Sequence, residues 1–250
     1  MKKIISFTIW GSDYRYLGGA LQNVELAKHF YPGWICRFYL GESTNPDFRS
    51  ELLTHSNVEV IDMSGQKEDC SATLWRFKAI CDPDVEVMIV RDVDSRLHQR
   101  DFDVVNEWLN SDKLFHIIRD HNAHNVPIMA GMWGCKKGIV DNIDVAIDAY
   151  NAGPTRGVDQ NFLMTKIYPR IRDNCMVHDS CCSKESDKPF PSHTKERTQH
   201  HFIGQAYDGC SRVLDKRFYF SDFIKEESDI TLQTNDKYIC EAYHSRKKSL

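Results

Sequence analysis

The stretch Val85-Glu86-Val87-Met88-Ile89-Val90 runs directly into Arg91-Asp92-Val93-Asp94-Ser95-Arg96. Its first six residues have the short, β-branched composition of a buried strand. Residues two apart in a strand point to the same side, so Asp92 and Asp94 are predicted to converge where this strand ends. Paired carboxylates are hard oxygen ligands that suit Mg²⁺ or Mn²⁺ bridged to a diphosphate. The alternative is a chance Asp-x-Asp that caps a turn.

The rest of the chain repeats this pattern of short apolar runs separated by amphipathic stretches. Further strands are predicted at residues 4–9, 35–40, 58–61 and 114–118. Helices are predicted around residues 20–31, 71–80, 138–150 and 157–168, and from an N-cap at Asp101. This order predicts an α/β sandwich with a mostly parallel central sheet. Such sheets bind ligands at the carboxyl ends of their strands.

Composition narrows the function classes. The 250 residues contain 32 Lys and Arg against 36 Asp and Glu, a net charge of −4, so a nucleic-acid binder held by phosphate contacts is not expected. No apolar run approaches the ~20 residues of a transmembrane segment. The apolar residues after Met1-Lys2-Lys3 are followed by no small-residue cleavage site, so they predict a first strand and not a signal peptide.

Other features favour one soluble domain of the cytoplasm. The nine cysteines include no Cys-x-x-Cys pair, and reduced thiols are expected. No linker divides the chain, and the polar residues 183–199 predict a surface loop, with closure over a site as one role. The sequence also lacks a glycine-rich phosphate-binding loop, so a nucleotide diphosphate would need another source of positive charge.

A series of motifs beyond the acidic pair resembles the GT-A glycosyltransferases, in particular small members from bacteria and large DNA viruses. The motifs lie within about residues 3–208, which leaves 209–250 as a C-terminal extension of a single domain. In chain order they are Trp75-Arg76-Phe77, residues 91–96, His116-Ile117-Ile118-Arg119-Asp120-His121, Ala130-Gly131-Met132-Trp133-Gly134, Val158-Asp159-Gln160-Asn161-Phe162-Leu163, Met176-Val177-His178-Asp179 and Phe202-Ile203-Gly204-Gln205.

The resemblance implies a GT-A, Rossmann-like sandwich and a metal-assisted transfer of sugar from a nucleotide-sugar donor to a carbohydrate-bearing acceptor. It implies Mn²⁺ or Mg²⁺ on Asp92 and Asp94, with His178 as a third ligand and His201 as its rival. For a viral chain, the compartment would be the host cytoplasm. Each histidine has an ordinary surface or turn position as its alternative.

The resemblance also assigns residues to the donor and to catalysis. Trp10 or Tyr14 would stack on the nucleobase beside Gly11, and Trp133 would pack on the sugar, although both tryptophans suit a core equally well. The full donor set is Trp10, Gly11, Tyr14, Arg76, Arg91, Asp92, Trp133 and Gln160. Asp159 or Asp120 would remove the proton of the attacking hydroxyl in an inverting enzyme.

Two other function classes stay open from the sequence. One is a non-catalytic carbohydrate-binding or scaffold protein on the same fold. The other is a different metal-dependent, nucleotide-using transferase. Fold alone does not choose between them.

Overall fold

The computed structural model describes residues 1–124, 126–138, 142–150, 153–180, 187–192, 194 and 202–210. Its strands form one sheet in the order β3-β2-β1-β4-β6-β5-β7, in which only β6 runs antiparallel to its neighbours. The predicted α/β sandwich with a mostly parallel central sheet is confirmed. The strands are β1 Lys2–Ile9, β2 Ile35–Leu40, β3 Val58–Asp62, β4 Val85–Arg91, β5 Phe115–Arg119, β6 Met132–Lys136 and β7 Cys175–Asp179.

Helices cover both faces of the sheet. They are α1 Tyr14–Phe30, α2 Pro46–Leu52, the 3₁₀ helix Cys70–Cys81, α3 Gln99–Leu109, α4 Ile143–Asp148, α5 Val158–Phe162, a π-helical turn Leu163–Ile167, α6 Tyr168–Ile171 and the 3₁₀ turn Arg172–Asn174. Helix α2 and strand β7 were not among the predicted elements. None of the helices among the described residues has the length and hydropathy of a transmembrane span.

The predicted N-cap at Asp101 is wrong. The N-cap of α3 is His98, whose ring Nδ1 accepts from the Asp101 backbone N–H at 3.4 Å. The Asp101 side chain instead turns inward and forms a two-pronged ion pair with Arg91, with N···O distances of 2.9 and 2.7 Å. Because the buried guanidinium of Arg91 takes the Asp101 carboxylate, Asp101 is not available as the N-cap of α3.

Two apolar cores lie on the two faces of the sheet. Against α1 and α3, Phe7 and Phe38 stack at 5.0 Å between ring centroids. Against the 3₁₀ helix and α5, Phe77 packs edge-on to Trp133 at 5.4 Å. Because apolar side chains from both faces of β1 and β4 are buried, these strands are fixed at the centre of the molecule.

The start of α1 is held close to the end of β4. A Cβ on Gly19 would lie 2.4 Å from the Val93 carbonyl oxygen, so only glycine allows the helix to approach so closely. The later segment 202–210 crosses the same edge, where the Tyr207 backbone N–H donates to the Asp94 carbonyl at 2.8 Å. These contacts place α1, the turn after β4 and segment 202–210 together.

The cysteines follow the expectation of free thiols in part. Cys36, Cys70, Cys81, Cys135 and Cys175 are free. Cys210 is disulfide-bonded, so the expectation of reduced thiols is wrong at this position. Apart from Gly209 and Cys210, the predicted C-terminal extension also lies outside the described residues.

The ion pair between Arg91 and Asp101 gives a stability prediction. Both side chains are at most 2% exposed, and loss of one charge from a buried pair leaves the other uncompensated. We expect Asp101→Asn to lower the free energy of unfolding by about 3–5 kcal/mol in urea denaturation. The matched control is Asp148→Asn, which breaks the exposed pair with Lys78 and should cost less than about 1 kcal/mol. Equal effects of the two variants would contradict this account.

Candidate functional site

The acidic pair lies in a turn directly after β4. Because β4 ends at Arg91, the two carboxylates are brought together by this turn and not by strand alternation as predicted. The turn is closed by Ser95, whose backbone N–H and hydroxyl both donate to the Asp92 carbonyl, at 3.0 and 2.6 Å. The turn faces the carboxyl end of β1 and the start of α1.

A buried arginine from the 3₁₀ helix organises this edge of the sheet. The guanidinium of Arg76 donates to the Arg91 carbonyl at 3.0 Å, to Asp92 Oδ1 at 2.6 Å and to Asp159 Oδ2 at 2.9 Å. Burial alone would lower the pKa of Arg76, but the negative charges of Asp92 and Asp159 outweigh it and raise that pKa. Arg76 is therefore a fixed positive charge between two carboxylates.

A second arginine, which sequence reasoning did not assign to the site, meets the other carboxylate. Arg15, in the first turn of α1, forms an ion pair with Asp94. Burial raises the pKa of Asp94, the nearby charge of Asp92 adds to this effect, and Arg15 opposes it. Arg15 could have been assigned to the site from its place directly after the predicted strand β1, because the carboxyl ends of β1 and β4 lie at one edge of a parallel sheet.

A glycine makes room for the Asp92 carboxylate. A Cβ on Gly131 would lie 2.2 Å from Asp92 Oδ2, so any side chain there would push this carboxylate away. Gln160 fixes the segment that carries Gly131. Its side-chain oxygen accepts from the Ala130 N–H at 3.1 Å, and its amide donates to the Ile128 carbonyl. Gln160 therefore shapes the site through the chain around Gly131.

The end of β1 forms a neighbouring surface with aromatic side chains. The half-buried ring of Trp10 packs edge-on to Trp75 at 6.5 Å. Gly11 has a φ of +75°, and its N–H donates to Ser43 Oγ at 2.8 Å. The ring of Tyr14 packs against Gly209. Three residues predicted to contact the donor thus lie beside the acidic turn.

The structure does not bring three other predicted residues to this edge. Arg91 is 1% exposed and paired with Asp101 on the α1 and α3 side of the sheet. Trp133 is fully buried beside Phe77 in the opposite core. His178 is also fully buried.

Two side chains already occupy the ring of His178. The Nδ1 of His178 lies 2.9 Å from His116 Nε2, and its Nε2 lies 3.1 Å from Glu107 Oε2. Burial lowers the pKa of His178, although Glu107 opposes that effect. His201, the rival of His178, lies outside the described residues.

Asp120 is also enclosed. Its carboxylate accepts two hydrogen bonds from Arg100 at 2.8 and 2.7 Å, one from Ser180 Oγ at 2.7 Å and one from the Ile203 N–H at 3.0 Å. Asp120 is fully buried, so these contacts make it an anchor for segment 202–210. Of the two predicted catalytic carboxylates, Asp159 shares its partner Arg76 with Asp92.

The predicted loop 183–199 is described only in part. Within it, Lys188 pairs with the edge of β7 through backbone bonds to Val177 and Asp179, at 2.8 and 3.1 Å. Asp187 forms an ion pair with Arg119 at 2.8 Å and is 4% exposed at its side chain. Residues 187 and 188 are therefore part of the packed edge of the sheet.

Asp92 and Asp94 are the candidate ligands for a metal ion in the acidic turn. Among the described residues, no group of three or more His, Cys, Asp or Glu side chains could hold one. Asp92 and Asp94 offer two carboxylates, and each is paired with a guanidinium cation. This donor set fits Mg²⁺ or Mn²⁺, which use one or two carboxylates and complete their shell with water and substrate phosphates.

Comparisons with known proteins found no matching family model and no matching curated protein. Solved structures do match. The chain is similar to a 4-diphosphocytidyl-2C-methyl-D-erythritol synthase from Anaerococcus prevotii, with 14% identity, 77% of this chain and 94% of the other covered, and a TM-score of 0.45. It is also similar to the galactosyltransferase LgtC, solved with donor and acceptor sugar analogues, with 14% identity, coverages of 71% and 73%, and a TM-score of 0.44.

A third similar structure is glucosyl-3-phosphoglycerate synthase from Mycobacterium tuberculosis in complex with uridine diphosphate. It has 10% identity, coverages of 75% of this chain and 73% of the other, and a TM-score of 0.43. Because these TM-scores are below 0.5, the function proposed below rests on the residues of the site.

The space beside Gly131 yields a prediction about metal binding. We expect Gly131→Ala to displace the Asp92 carboxylate and to weaken Mn²⁺ binding about 10-fold or more, as measured by calorimetric titration. The free energy of unfolding should fall by only about 1–2 kcal/mol, because the end of a flexible side chain can move. Gly153→Ala is the matched control, since its Cβ would meet nothing closer than 4.0 Å. Wild-type Mn²⁺ affinity in Gly131→Ala would refute the assignment of Asp92.

Proposed function

We propose that this chain is a glycosyltransferase that moves a sugar from a nucleoside diphosphate sugar, expected to be UDP-linked, to a hydroxyl of a glycan, glycoprotein or glycolipid. One observation carries the proposal. Asp92, Asp94 and Asp159 gather around two arginines at the carboxyl ends of β1 and β4, where an open α/β sheet binds its ligands. The GT-A-like motifs in the sequence support the same reading.

The acidic turn supplies the place for the diphosphate. Asp92 and Asp94 would hold Mn²⁺ or Mg²⁺, which when bound supplies positive charge against the diphosphate leaving group. The Arg76 guanidinium is held by three acceptors, so it is not free to move onto the diphosphate. It instead holds the Asp92 and Asp159 carboxylates in a fixed orientation before the substrate arrives.

The aromatic surface at the end of β1 is the proposed place for the nucleobase. Trp10 is half-buried, and Trp75 packs against it from the protein side. The ring of Trp10 is therefore supported by Trp75 and can receive a base. The backbone at Gly11 has no side chain to block a ribose. The buried Trp133 and Arg91 have no role in this proposal.

Asp159 is the carboxylate that we assign to the acceptor side. One of its oxygens is bound by Arg76, and the other accepts the Gln160 N–H at 2.9 Å. Held in this way, it can accept a hydrogen bond from the hydroxyl that attacks the anomeric carbon. In an inverting reaction it would take that proton, and in a retaining reaction it would orient the sugar.

Removal of one charge from the acidic turn tests the proposed function. We expect a matching nucleotide sugar with Mn²⁺ to raise the Tm of the wild type by about 5–10 °C at 100-fold excess over Kd, and Mn²⁺ or nucleotide sugar alone to raise it less. Asp94→Asn should abolish the combined shift. It should also lower the slow release of nucleoside diphosphate about 100-fold or more, because charge on the leaving group is no longer offset.

Asp173→Asn is the control for that experiment, because the Asp173 side chain is 94% exposed and lies in a turn after α6. It should behave as the wild type in both assays. A screen in which every nucleotide sugar leaves the Tm unchanged, while a glycan array shows tight binding, would replace the transferase with a carbohydrate-binding scaffold. A combined shift that survives in Asp94→Asn would contradict the site.

A further inference from the structure

The two arginines at the acidic turn are held in different ways. Arg76 is 5% exposed and donates to three acceptors on two segments of chain. The side chain of Arg15 is 35% exposed, and within the described part of the chain Asp94 is the one acceptor that it reaches. Arg15 can therefore leave its carboxylate without disturbing the fold, whereas Arg76 cannot.

The pairing with Asp94 leaves Arg15 incompletely satisfied. Its Nε is buried and has no hydrogen-bond partner among the described residues. A buried donor without a partner costs free energy, so a guanidinium gains by moving to a ligand with more acceptor oxygens. A diphosphate offers such oxygens in a geometry that matches the guanidinium fork.

The position of Arg15 suits an anion. It lies in the first turn of the 17-residue helix α1, which starts after the carboxyl end of β1 and is capped by Asp13, whose carboxylate accepts from the Arg15 backbone N–H at 2.9 Å. Backbone N–H groups and the helix dipole make such an end favourable for negative charge. Arg15 thus pairs with Asp94 at the end of the sheet where the donor is proposed to bind.

The charges around Arg15 indicate what its positive charge does in the site. Asp92, Asp94 and Asp159 against Arg76 and Arg15 leave one net negative charge. A divalent cation changes this to one net positive charge, and a diphosphate ester with two negative charges returns it to one negative. Without Arg15, the loaded site would carry two negative charges, which disfavours retention of the diphosphate.

We propose that Arg15 is an exchangeable cation. It holds the Asp94 carboxylate in the nucleotide-free protein, gives that carboxylate up to the divalent cation, and moves to the diphosphate oxygens of the donor. This inference rests on the proposed function and adds a positioning role for a residue outside the Asp-x-Asp turn. It follows that Arg15 weakens binding of the metal alone and strengthens binding of the nucleotide.

The opposite signs of these two effects make the test sharp. Mn²⁺ is titrated into the nucleotide-free protein by calorimetry and by electron paramagnetic resonance, and UDP is then titrated in saturating Mn²⁺. We expect Arg15→Gln to bind Mn²⁺ alone about 5- to 10-fold more tightly than the wild type and UDP about 10-fold more weakly. Arg15→Lys keeps the charge on Asp94 and should bind Mn²⁺ within about twofold of the wild type.

The control is Arg49→Gln, which removes a similarly exposed arginine from its pair with Asp62, away from the site. It should match the wild type in both titrations, and circular dichroism reports that all variants are folded. Unchanged or weaker Mn²⁺ binding in Arg15→Gln, or unchanged UDP binding, overturns the exchange while the proposed function stands. A wild type that binds neither Mn²⁺ nor UDP overturns the proposed function and the exchange together.

Discussion

The Arg76 guanidinium is the interaction on which the site depends. It joins the 3₁₀ helix to the end of β4 through the Arg91 carbonyl and to α5 through Asp159, and it is 5% exposed. The backbone of the same residue is tied to β1, because Ser6 Oγ donates to the Arg76 carbonyl at 2.6 Å. A single buried cation thus fixes three segments relative to one another. A buried charge is stable only with partners of opposite sign, so the fold must keep the two carboxylates in place.

This arrangement explains how the chain can offer a diphosphate site without a glycine-rich loop. A phosphate loop neutralises its ligand with backbone N–H groups. Here the edge of the sheet carries three carboxylates and two guanidinium groups, so the site is close to balanced before any ligand is present. Binding then becomes an exchange of charged partners within an organised site, and little reorganisation of the protein is needed.

The sequence predicted the architecture well and the site in part. Near-continuous apolar runs identified four of the five strands β1 to β5 to within one residue, and they placed Asp92 and Asp94 at the right edge of the sheet. Short strands such as β6, in which Gly134 interrupts the apolar pattern, carry a weak signal. The inward turn of Asp101 was not predictable, because it follows from a long-range choice of partner by Arg91.

Long-range choice of partners also explains why some residues predicted for the site lie away from the acidic turn. His178, Asp120 and Arg91 all follow or end apolar runs, as ligand-binding residues do. Which face a side chain takes, and which neighbour satisfies it, depends on contacts between segments distant in sequence. His178 contacts Glu107 and His116, Asp120 pairs with Arg100, and Arg91 pairs with Asp101. None of these pairings is encoded by local spacing. Gly131 is the reverse case, since its importance comes from a carboxylate 39 positions earlier in the chain that needs the space.

Anomalous X-ray diffraction from a crystal grown with Mn²⁺ and UDP tests the central claim most directly. We predict an anomalous peak within bonding distance of the Asp92 and Asp94 carboxylates, shared with diphosphate oxygens, while Arg76 keeps its contacts to Asp159 and the Arg91 carbonyl. The claim would be contradicted by a crystal with ordered UDP in which no peak lies at the turn and both carboxylates remain on Arg76 and Arg15.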